Sequence, residues 1–514
     1  MVELPDFTLV DWSRAQFAFT AMYHWLFAPI ILGLSWLLAF FETFYVKTGN
    51  EEWKRITRFW MMLFGINFAL GAATGIILVF QLGTNWSNYA WAAGDIFGTP
   101  LAAACIYGFL PSTISFPVMF FGWDRVSQRV HLFVTWMVAL GTNLAAFWIL
   151  AVNGWMQNPV GISFNPNKAR FEIESFWEVL LSPVVVSKFA HATSASFQLA
   201  ALFVLAVSSW FLLKGRHQDM AKKSILVAAV FGLLSSVFVA ITGDEAVYAN
   251  ARYQPMKLAA FEGLYNGEES AGLVLAGILN PKKLPGDNNS TFRHKIKIPG
   301  LLSLLANRQP GSFVPGINDL VYGNSKHNIT GMDKKIENGR IAVELLRQYK
   351  TARKEKNTAR AQMALLNFRN YEKYLGFGYL KKAEEAVPPV QLTFYSFHIM
   401  VGLGVLFPLI FLLFLYYTYK DTIPRKKWLL RLGIFSVFLG YIASQAGWIV
   451  AEVGRQPWAI QGIMPVSVAR SNLTTGTVQT TFFLFLFLFT VLLIAEIRIM
   501  LKQIQLGPET ARED

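Results

Sequence analysis

Nine long runs of apolar residues alternate along the chain with polar connections. Each run has the length of a helix that crosses a hydrocarbon layer, about 20 residues, and none alternates apolar and polar positions as a barrel strand does. The pattern predicts an all-α polytopic membrane protein with about nine transmembrane helices in a bundle. The predicted spans are 15–46, 57–83, 97–122, 130–152, 184–213, 222–243, 391–418, 427–453 and 476–501.

The basic residues lie in alternate connections. Lys and Arg follow the first, third, fifth and seventh spans, whereas the 84–96 connection has none. Cytoplasmic connections carry the excess of Lys and Arg, so we expect the N-terminus outside and the C-terminus in the cytoplasm. The first fourteen residues lack a basic segment, so no cleavable signal peptide is expected.

One connection, 244–390, is long, polar and outside on this topology. A loop of this length is either functional or disordered, and its part 333–384 has the charged pattern of a helix. The interpretation divides the chain into 1–243 with six helices, the extracytoplasmic loop 244–390, and 391–514 with three helices and a short tail. We find no internal repeat, which disfavours a transporter or channel.

Composition removes other classes of function. Hydrophobic residues make up 54% of the chain and charged residues 15%, too few charges for a soluble domain. The net charge is +14, and the basic residues lie beside the spans. This position indicates that they set the membrane topology and contact anionic lipid rather than nucleic acid. The only cysteine, Cys105, excludes an intrachain disulfide, a cysteine-ligated metal cluster and CxxCH haem attachment.

The segment AGWIVAEVGRQPW carries an acid to the end of the eighth span. Glu452 and Arg455 share a helix face if the helix runs that far, and an acid at the edge of hydrocarbon needs a partner. An interfacial ion pair explains the spacing. The alternative is that Glu452 faces the bundle as a metal ligand or a proton-handling acid.

Three histidines lie well inside spans: His24, His191 and His398. A single intramembrane histidine is most often a packing residue or part of a proton path. Small and aromatic neighbours around His24 and His191 leave space for a flat macrocycle, and neutral imidazole suits iron. Met400 is normally a packing residue, but His with Met is an axial pair for an electron-transfer haem.

Lys257 and Glu262 lie five residues apart after the sixth span. A solvated charged face is the plain interpretation. The alternative is a pair of polar partners for the head group of a lipid-soluble substrate.

Several segments together resemble subunit I of the cytochrome bd quinol oxidases, in the branch with a long loop. The resemblance covers nearly the whole chain and is weakest over 270–385. The segments that carry it are RAQFAFTAMYHWLF, LFGINFALGAATG, GTNWSNY, GDIFGTPLA, FFGWDR, NGWMQNPVG, KLAAFEG and GWIVAEVGRQPWAI.

The resemblance implies a redox function in a bacterial cytoplasmic membrane. In the family, quinol is oxidised near the outer surface, and Lys257 and Glu262 match the quinol-site residues. Electrons enter a low-spin haem b, whose axial ligands match His191 and Met400.

Oxygen reduction to water is implied at a close pair of haems, a high-spin haem b and a haem d or second haem b. His24 and Glu452 match the axial ligands of that pair, and which haem each takes stays open. Arg455 and Trp448 match residues that pack on this region. The family also implies a second large membrane subunit and in some members a small single-span one.

The chain departs from the family pattern at several acids. Val79, Ala104, Ser112 and Gln445 stand where the family carries acids, and His398 stands where an arginine near the low-spin haem is common. Ala and Val cannot carry protons through a membrane, and Ser relays them only through water. A second hypothesis is therefore a divergent or engineered haem protein that accepts quinol electrons with impaired or no oxygen reduction.

Overall fold

The structure, a computed structural model, describes residues 8–508, and within them nine helical segments are long and apolar enough to span a membrane. This confirms the predicted class and number of spans, although most segments extend beyond the predicted ends. Residues 1–7 and 509–514 lie outside the described chain, so the signal-peptide prediction is not addressed there. The helices are α1 (Leu9–His24), α2 (Ala28–Thr48), α3 (Glu51–Thr84), α4 (Ser87–Ala103), α5 (Leu110–Phe121), α6 (Gln128–Trp155), α7 (Phe176–Leu180), α8 (Pro183–Leu213), α9 (Gln218–Tyr253), α10 (Pro255–Glu262), α11 (Leu301–Asn307), α12 (Ile317–Tyr322), α13 (Met332–Lys354), α14 (Thr358–Tyr371), α15 (Val390–Tyr419), α16 (Lys427–Val453), α17 (Val466–Ala469) and α18 (Thr475–Leu506).

Short strands pair into four antiparallel two-stranded sheets, in the order β1-β2, β3-β6, β4-β5 and β7-β8. The β4-β5 hairpin lies in the long loop, and β7-β8 follows α16. The strands are β1 (Ile162–Asn165), β2 (Arg170–Ile173), β3 (Glu268–Glu269), β4 (Leu273–Leu279), β5 (Phe292–Ile298), β6 (Phe313–Val314), β7 (Trp458–Ile460) and β8 (Met464–Pro465).

Four long helices, α8, α9, α15 and α16, form a bundle within the larger one. α8 packs on α9 and on α16, and α15 packs on the same two helices. α8 and α15 therefore lie across a diagonal. In the halves of these helices that lie away from the 244–390 loop, fully buried apolar side chains such as Leu205, Phe411 and Phe414 fill the centre of the bundle.

The first span is broken in the membrane. α1 ends at His24, a turn covers 25–27, and α2 begins at Ala28 with Pro29 in its first turn. Proline has no N–H for the preceding helical hydrogen bond and suits the first turn of a new helix. The break places His24 at a helix end inside the bundle.

The third span is also irregular. A π-helical segment, Ala104–Phe109, separates α4 from α5. The Ser112 hydroxyl donates to the Gly108 carbonyl oxygen (2.8 Å), and a Cβ on Gly141 of α6 would lie 2.3 Å from Ser112 Oγ. The span is thus closely packed against α6 at a position where the family pattern has an acid.

The long loop is folded in the structure. It contains α10 to α14 and β3 to β6, including the two charged helices within 333–384. α9 continues to Tyr253, so the boundary at 243 falls inside a helix.

A buried hydrogen-bonded pair of an acid and a histidine joins α2 to α6. Glu42 Oε1 lies 2.6 Å from His131 Nδ1, and Glu42 Oε2 accepts from the Thr135 hydroxyl (2.6 Å). His131 Nε2 lies 3.0 Å from the Met119 carbonyl oxygen. Every polar atom of the two side chains has a partner, which buried polar groups require.

We expect Glu42→Ala to destabilise the protein by about 3–5 kcal/mol, because it leaves His131 buried without its acid. Glu337→Ala is the matched control, since that acid pairs with Lys334 on the exposed surface and such pairs contribute under about 1 kcal/mol. Thermal unfolding of both variants in detergent measures the difference. Equal shifts for the two variants would contradict the assignment.

Candidate functional site

Glu452 lies in the last turn of α16, and each oxygen of its carboxylate faces two protein donors. Oε2 accepts from Arg455 Nε (2.9 Å) and Nη2 (2.7 Å). Oε1 accepts from Asn153 Nδ2 (3.1 Å) and faces Lys188 Nζ (3.5 Å). A carboxylate has about four acceptor positions, and here four protein donors face it. The predicted ion pair is present as part of a larger network.

Lys257 belongs to the same network. Its Nζ donates to Gln157 Oε1 (2.8 Å) and Gln254 Oε1 (3.2 Å), and Gln157 Nε2 donates to Asn153 Oδ1 (3.4 Å). Burial, followed by the nearby Lys188, lowers the pKa of Lys257 well below its ordinary value. The polar network therefore runs without interruption from the loop lysine to Glu452.

Trp448 sits between the two histidine regions. Its ring meets Trp25, the neighbour of His24, edge-on with centroids 4.9 Å apart. Lys188, three residues before His191, places its ammonium 5.2 Å from the Trp448 ring centroid. The tryptophan thus connects the surroundings of His24 with those of His191.

His191 is oriented by a threonine on α9. Its Nδ1 lies 3.1 Å from Thr242 Oγ1, and that hydroxyl donates its own proton to the Phe238 carbonyl oxygen (2.6 Å). Thr242 must therefore accept from the ring, so Nδ1 carries the proton and Nε2 keeps its lone pair. Nothing in 8–508 hydrogen-bonds to Nε2.

His24 has the same arrangement on another pair of helices. Its Nδ1 lies 2.9 Å from Thr74 Oγ1 on α3, and the Thr74 hydroxyl donates to the Leu70 carbonyl oxygen (2.8 Å). The lone pair is again on Nε2, which has no partner among the residues described. Metal-bound histidines are usually held in this way by a hydrogen bond to the other nitrogen.

Glycines lie against both histidines and against Met400. A Cβ on Gly75 or Gly243, each directly after one of the threonines, would lie 3.2 or 3.4 Å from the histidine Cε1. A Cβ on Gly447 would lie 3.0 Å from Met400 Sδ.

His191 and Met400 come from the diagonal helices of the four-helix bundle. They lie eight and ten residues after the first residues of α8 and α15, about 12 and 15 Å along the helices. Gly243 and Gly447 come from the other two helices. An imidazole nitrogen and a thioether at similar depth on opposite sides of a bundle are donors that could hold a haem iron. His24 could supply one such donor.

His398 is placed differently from the other two histidines. Its Nδ1 lies 2.9 Å from the Phe394 carbonyl oxygen, and its Nε2 lies 2.9 Å from the Val274 carbonyl oxygen. Both nitrogens are occupied, so the ring joins α15 to β4 and offers iron no free nitrogen. A role near a cofactor stays a prediction.

Glu262 does not meet Lys257. It is 2% exposed, and neither carboxyl oxygen has a hydrogen-bond partner. Burial raises its pKa to about 8, and the nearby Val274 amide opposes this shift only in part. Glu262 lines a cleft of about 290 Å³ against the basic β5, whose Lys295 and His294 also line it.

The structure brings Glu452, Arg455, Trp448 and Lys257 together and leaves Glu262 apart. Sequence reasoning missed the residues that hold this network, Lys188 and Asn153, and the two orienting threonines. Two signals were present: a lysine inside the apolar fifth span, and Thr-Gly dipeptides at 74–75 and 242–243 in two other spans.

Comparison with known proteins identifies relatives along the whole chain. The sequence model of the family "Cytochrome bd terminal oxidase subunit I" matches residues 12–508. The chain is 39% identical to the cytochrome bd-II ubiquinol oxidase subunit 1 of Escherichia coli (strain K12), over 98% of each chain. It is 32% identical to the cytochrome bd ubiquinol oxidase subunit 1 of Bacillus subtilis (strain 168), over 97% of this chain and 94% of the relative.

A solved structure has the same fold. The bd oxidase from Geobacillus thermodenitrificans aligns with a TM-score of 0.79 at 24% identity, covering 98% of this chain and 99% of the other.

The raised pKa of Glu262 predicts how stability depends on pH. The folded state keeps the proton up to about pH 8, whereas the unfolded chain releases it near 4.5. The folded state therefore loses stability relative to the unfolded state as pH rises from 4.5 to 8, by about 1.4 kcal/mol per pKa unit. Glu262→Gln should remove this loss, and the exposed Glu337→Gln should keep it. Unfolding midpoints measured across this pH range test this loss of stability. Parallel curves for Glu262→Gln and the unaltered protein would contradict the raised pKa of Glu262.

Proposed function

The chain belongs to the cytochrome bd terminal oxidase subunit I family, and on that premise we propose that it is the haem-bearing subunit of a quinol:oxygen oxidoreductase. It would oxidise membrane quinol, reduce oxygen to water and separate charge across the membrane. The observation that carries the proposal is the matched pair of histidines, each with its Nδ1 held by a threonine and its Nε2 left without a protein partner.

Quinol oxidation is assigned to the cleft beside the long loop. Glu262 is protonated at neutral pH, since its pKa is about 8. It must release that proton outward before it can accept one from the quinol hydroxyl. Lys257 faces the other side, where its amino group and the glutamines Gln157 and Gln254 offer hydrogen bonds near Glu452.

The haem sites follow from the donor set. His191 and Met400 would hold a low-spin haem b, because a histidine with a methionine suits an electron-transfer haem. His24 would hold a further haem. When bound, these groups supply the electron transfer and oxygen activation that side chains cannot.

Glu452 supports this region through its charge. Arg455 and Lys188 bring two basic side chains to one carboxylate, and Lys257 joins them through Gln157 and Asn153. Since Glu452 already faces four donors, we assign it to balancing charge and fixing Arg455 and Lys188. An iron-ligand role would require it to give up one of these contacts, the 3.5 Å contact with Lys188 being the longest.

The engagement of Glu452 by four protein donors also favours a second candidate function. With Glu452 engaged by protein donors and the family's acids replaced by Val79, Ala104 and Ser112, the chain would accept quinol electrons without reducing oxygen rapidly. The haem content separates the two candidates. A low-spin haem b with a high-spin pair fits the oxidase, and a single haem b fits the electron-transfer protein.

The apolar outer faces of the spans indicate where partners would lie. α18 exposes most of its apolar residues, among them Phe487 and Ile494. Membrane lipid covers such a surface, or a second large membrane subunit of the oxidase does, with a small single-span subunit as a further partner. The bacterial cytoplasmic membrane, with the N-terminus outside, is the proposed location.

We expect His191→Ala and Met400→Ala each to remove the low-spin haem signal while the protein stays inserted. The measurement is the dithionite-reduced minus air-oxidised absorbance spectrum of the purified complex, with haem extraction. His327→Ala is the control, because that histidine lies in the long loop, stacked on Phe313, away from the proposed ligands. An unchanged low-spin spectrum in both ligand variants would refute the assignment, and a complex without any haem would refute the function.

We expect Glu262→Gln to slow quinol oxidation by about 100-fold, as loss of a proton acceptor does, with haem content unchanged. In the unaltered protein, the rate should rise with pH up to about 8 as the carboxyl ionises. Stopped-flow reduction of the haem by quinol across this pH range measures both effects. Equal kinetics for the two proteins would place quinol oxidation elsewhere.

A further inference from the structure

Glu496 is an acid buried in the last transmembrane helix. It is 5% exposed, and with Phe489 and Met500 it forms the buried stripe of α18, between neighbours such as Ile494 and Ile497 that are exposed. No residue in 8–508 hydrogen-bonds to its carboxyl group. An unpartnered carboxyl in hydrocarbon is far more stable as the neutral acid, a form that holds a transferable proton.

Glu42, the other acid buried inside the described spans, is engaged at both oxygens by His131 and Thr135. It has a complete structural explanation. Intramembrane acids without such partners are usually functional, which makes Glu496 the stronger candidate for a role in transport of protons.

Two tyrosines lie near the stripe of α18 that carries Glu496. Tyr23 on α1 stacks on Phe489 with ring centroids 4.5 Å apart, and Tyr441 on α16 packs against the same apolar cluster as Phe489 and Met500. The Tyr23 hydroxyl is buried without a partner, and Tyr23 directly precedes His24. The acid is thus close to the helix that carries one of the proposed haem ligands.

A polar face of α16 continues from this point. Tyr441, Gln445, Trp448 and Glu452 are spaced four, three and four residues apart and share one helix face. Gln445 Nε2 donates to the Met22 carbonyl oxygen (2.8 Å), and its buried Oε1 has no partner. Buried polar atoms without protein partners are usually satisfied by ordered water, which would link these groups into a hydrogen-bonded chain.

The packing of the third span favours this location. Ser112 donates its only proton to the Gly108 carbonyl oxygen, and Gly141 packs against its hydroxyl. Ala104 offers no exchangeable proton. In contrast, the α1, α16 and α18 interface has three polar groups in need of partners.

We propose that Glu496 is a proton-transfer site that serves oxygen reduction near His24, acting with Tyr441. This inference rests on the proposed oxidase function. Reduction of oxygen to water consumes one proton for each electron. Glu496 would release a proton toward His24 and regain one from the cytoplasmic side, with no electron passing through it. It lies ten residues before the end of α18 at Leu506, about 15 Å from that end.

The test is Glu496→Gln in the purified complex, because glutamine keeps the shape and cannot release a proton. We expect quinol-dependent oxygen uptake to fall by about 100-fold, while the haem spectrum and anaerobic haem reduction by quinol stay unchanged. The infrared band of a protonated carboxyl should be present in the unaltered protein and absent from the variant. Thr490→Val, an exposed position on the same helix, is the matched control.

Tyr441→Phe is a second variant, which removes one hydroxyl and can be tested even if Glu496→Gln does not accumulate. We expect it to lower oxygen uptake while haem reduction by quinol stays intact. Full oxygen uptake in either variant overturns the inference and leaves the oxidase function intact. An unaltered complex with haem but without quinol-dependent oxygen uptake overturns the oxidase function, and this inference with it.

Discussion

One carboxylate fixes the arrangement of the end of the bundle next to the 244–390 loop. Donors from α6, from α8 and from the segment after α16 converge on Glu452 through Asn153, Lys188 and Arg455. Hydrogen bonds to a charged group contribute about 1.5–3 kcal/mol each. The network therefore sets the relative positions of the helices that carry the candidate haem ligands and of the loop that carries Lys257.

α10 connects this network to the loop. Lys257 and Glu262 are five residues apart, which at about 100° per residue puts them on different faces of the helix. One face meets the charged network through Gln157, and the other meets the cleft beside β5. A proton released at Glu262 and a charge change near Glu452 are therefore separated by a single short helix.

The sequence predicted the spans well because an apolar run of sufficient length has few alternatives in a membrane. Family resemblance pointed to His191, Met400 and Glu452, but composition alone left each with a plain structural interpretation. The pairing of each threonine with its histidine and the contact between Lys257 and Gln157 could not be predicted, since they join residues 50, 51 and 100 positions apart. Such contacts depend on how helices rotate against one another, which hydrophobic pattern alone does not specify.

The two halves of the membrane have different polar groups, and this bears on charge separation. His191, Met400 and the Glu452 network lie toward the helix ends next to the 244–390 loop. Tyr441 lies near the middle of α16, and Glu496 lies toward the opposite end of α18. If electrons enter from the outer side and protons from the inner side, their meeting near His24 moves charge across the membrane without any ion crossing the whole bilayer.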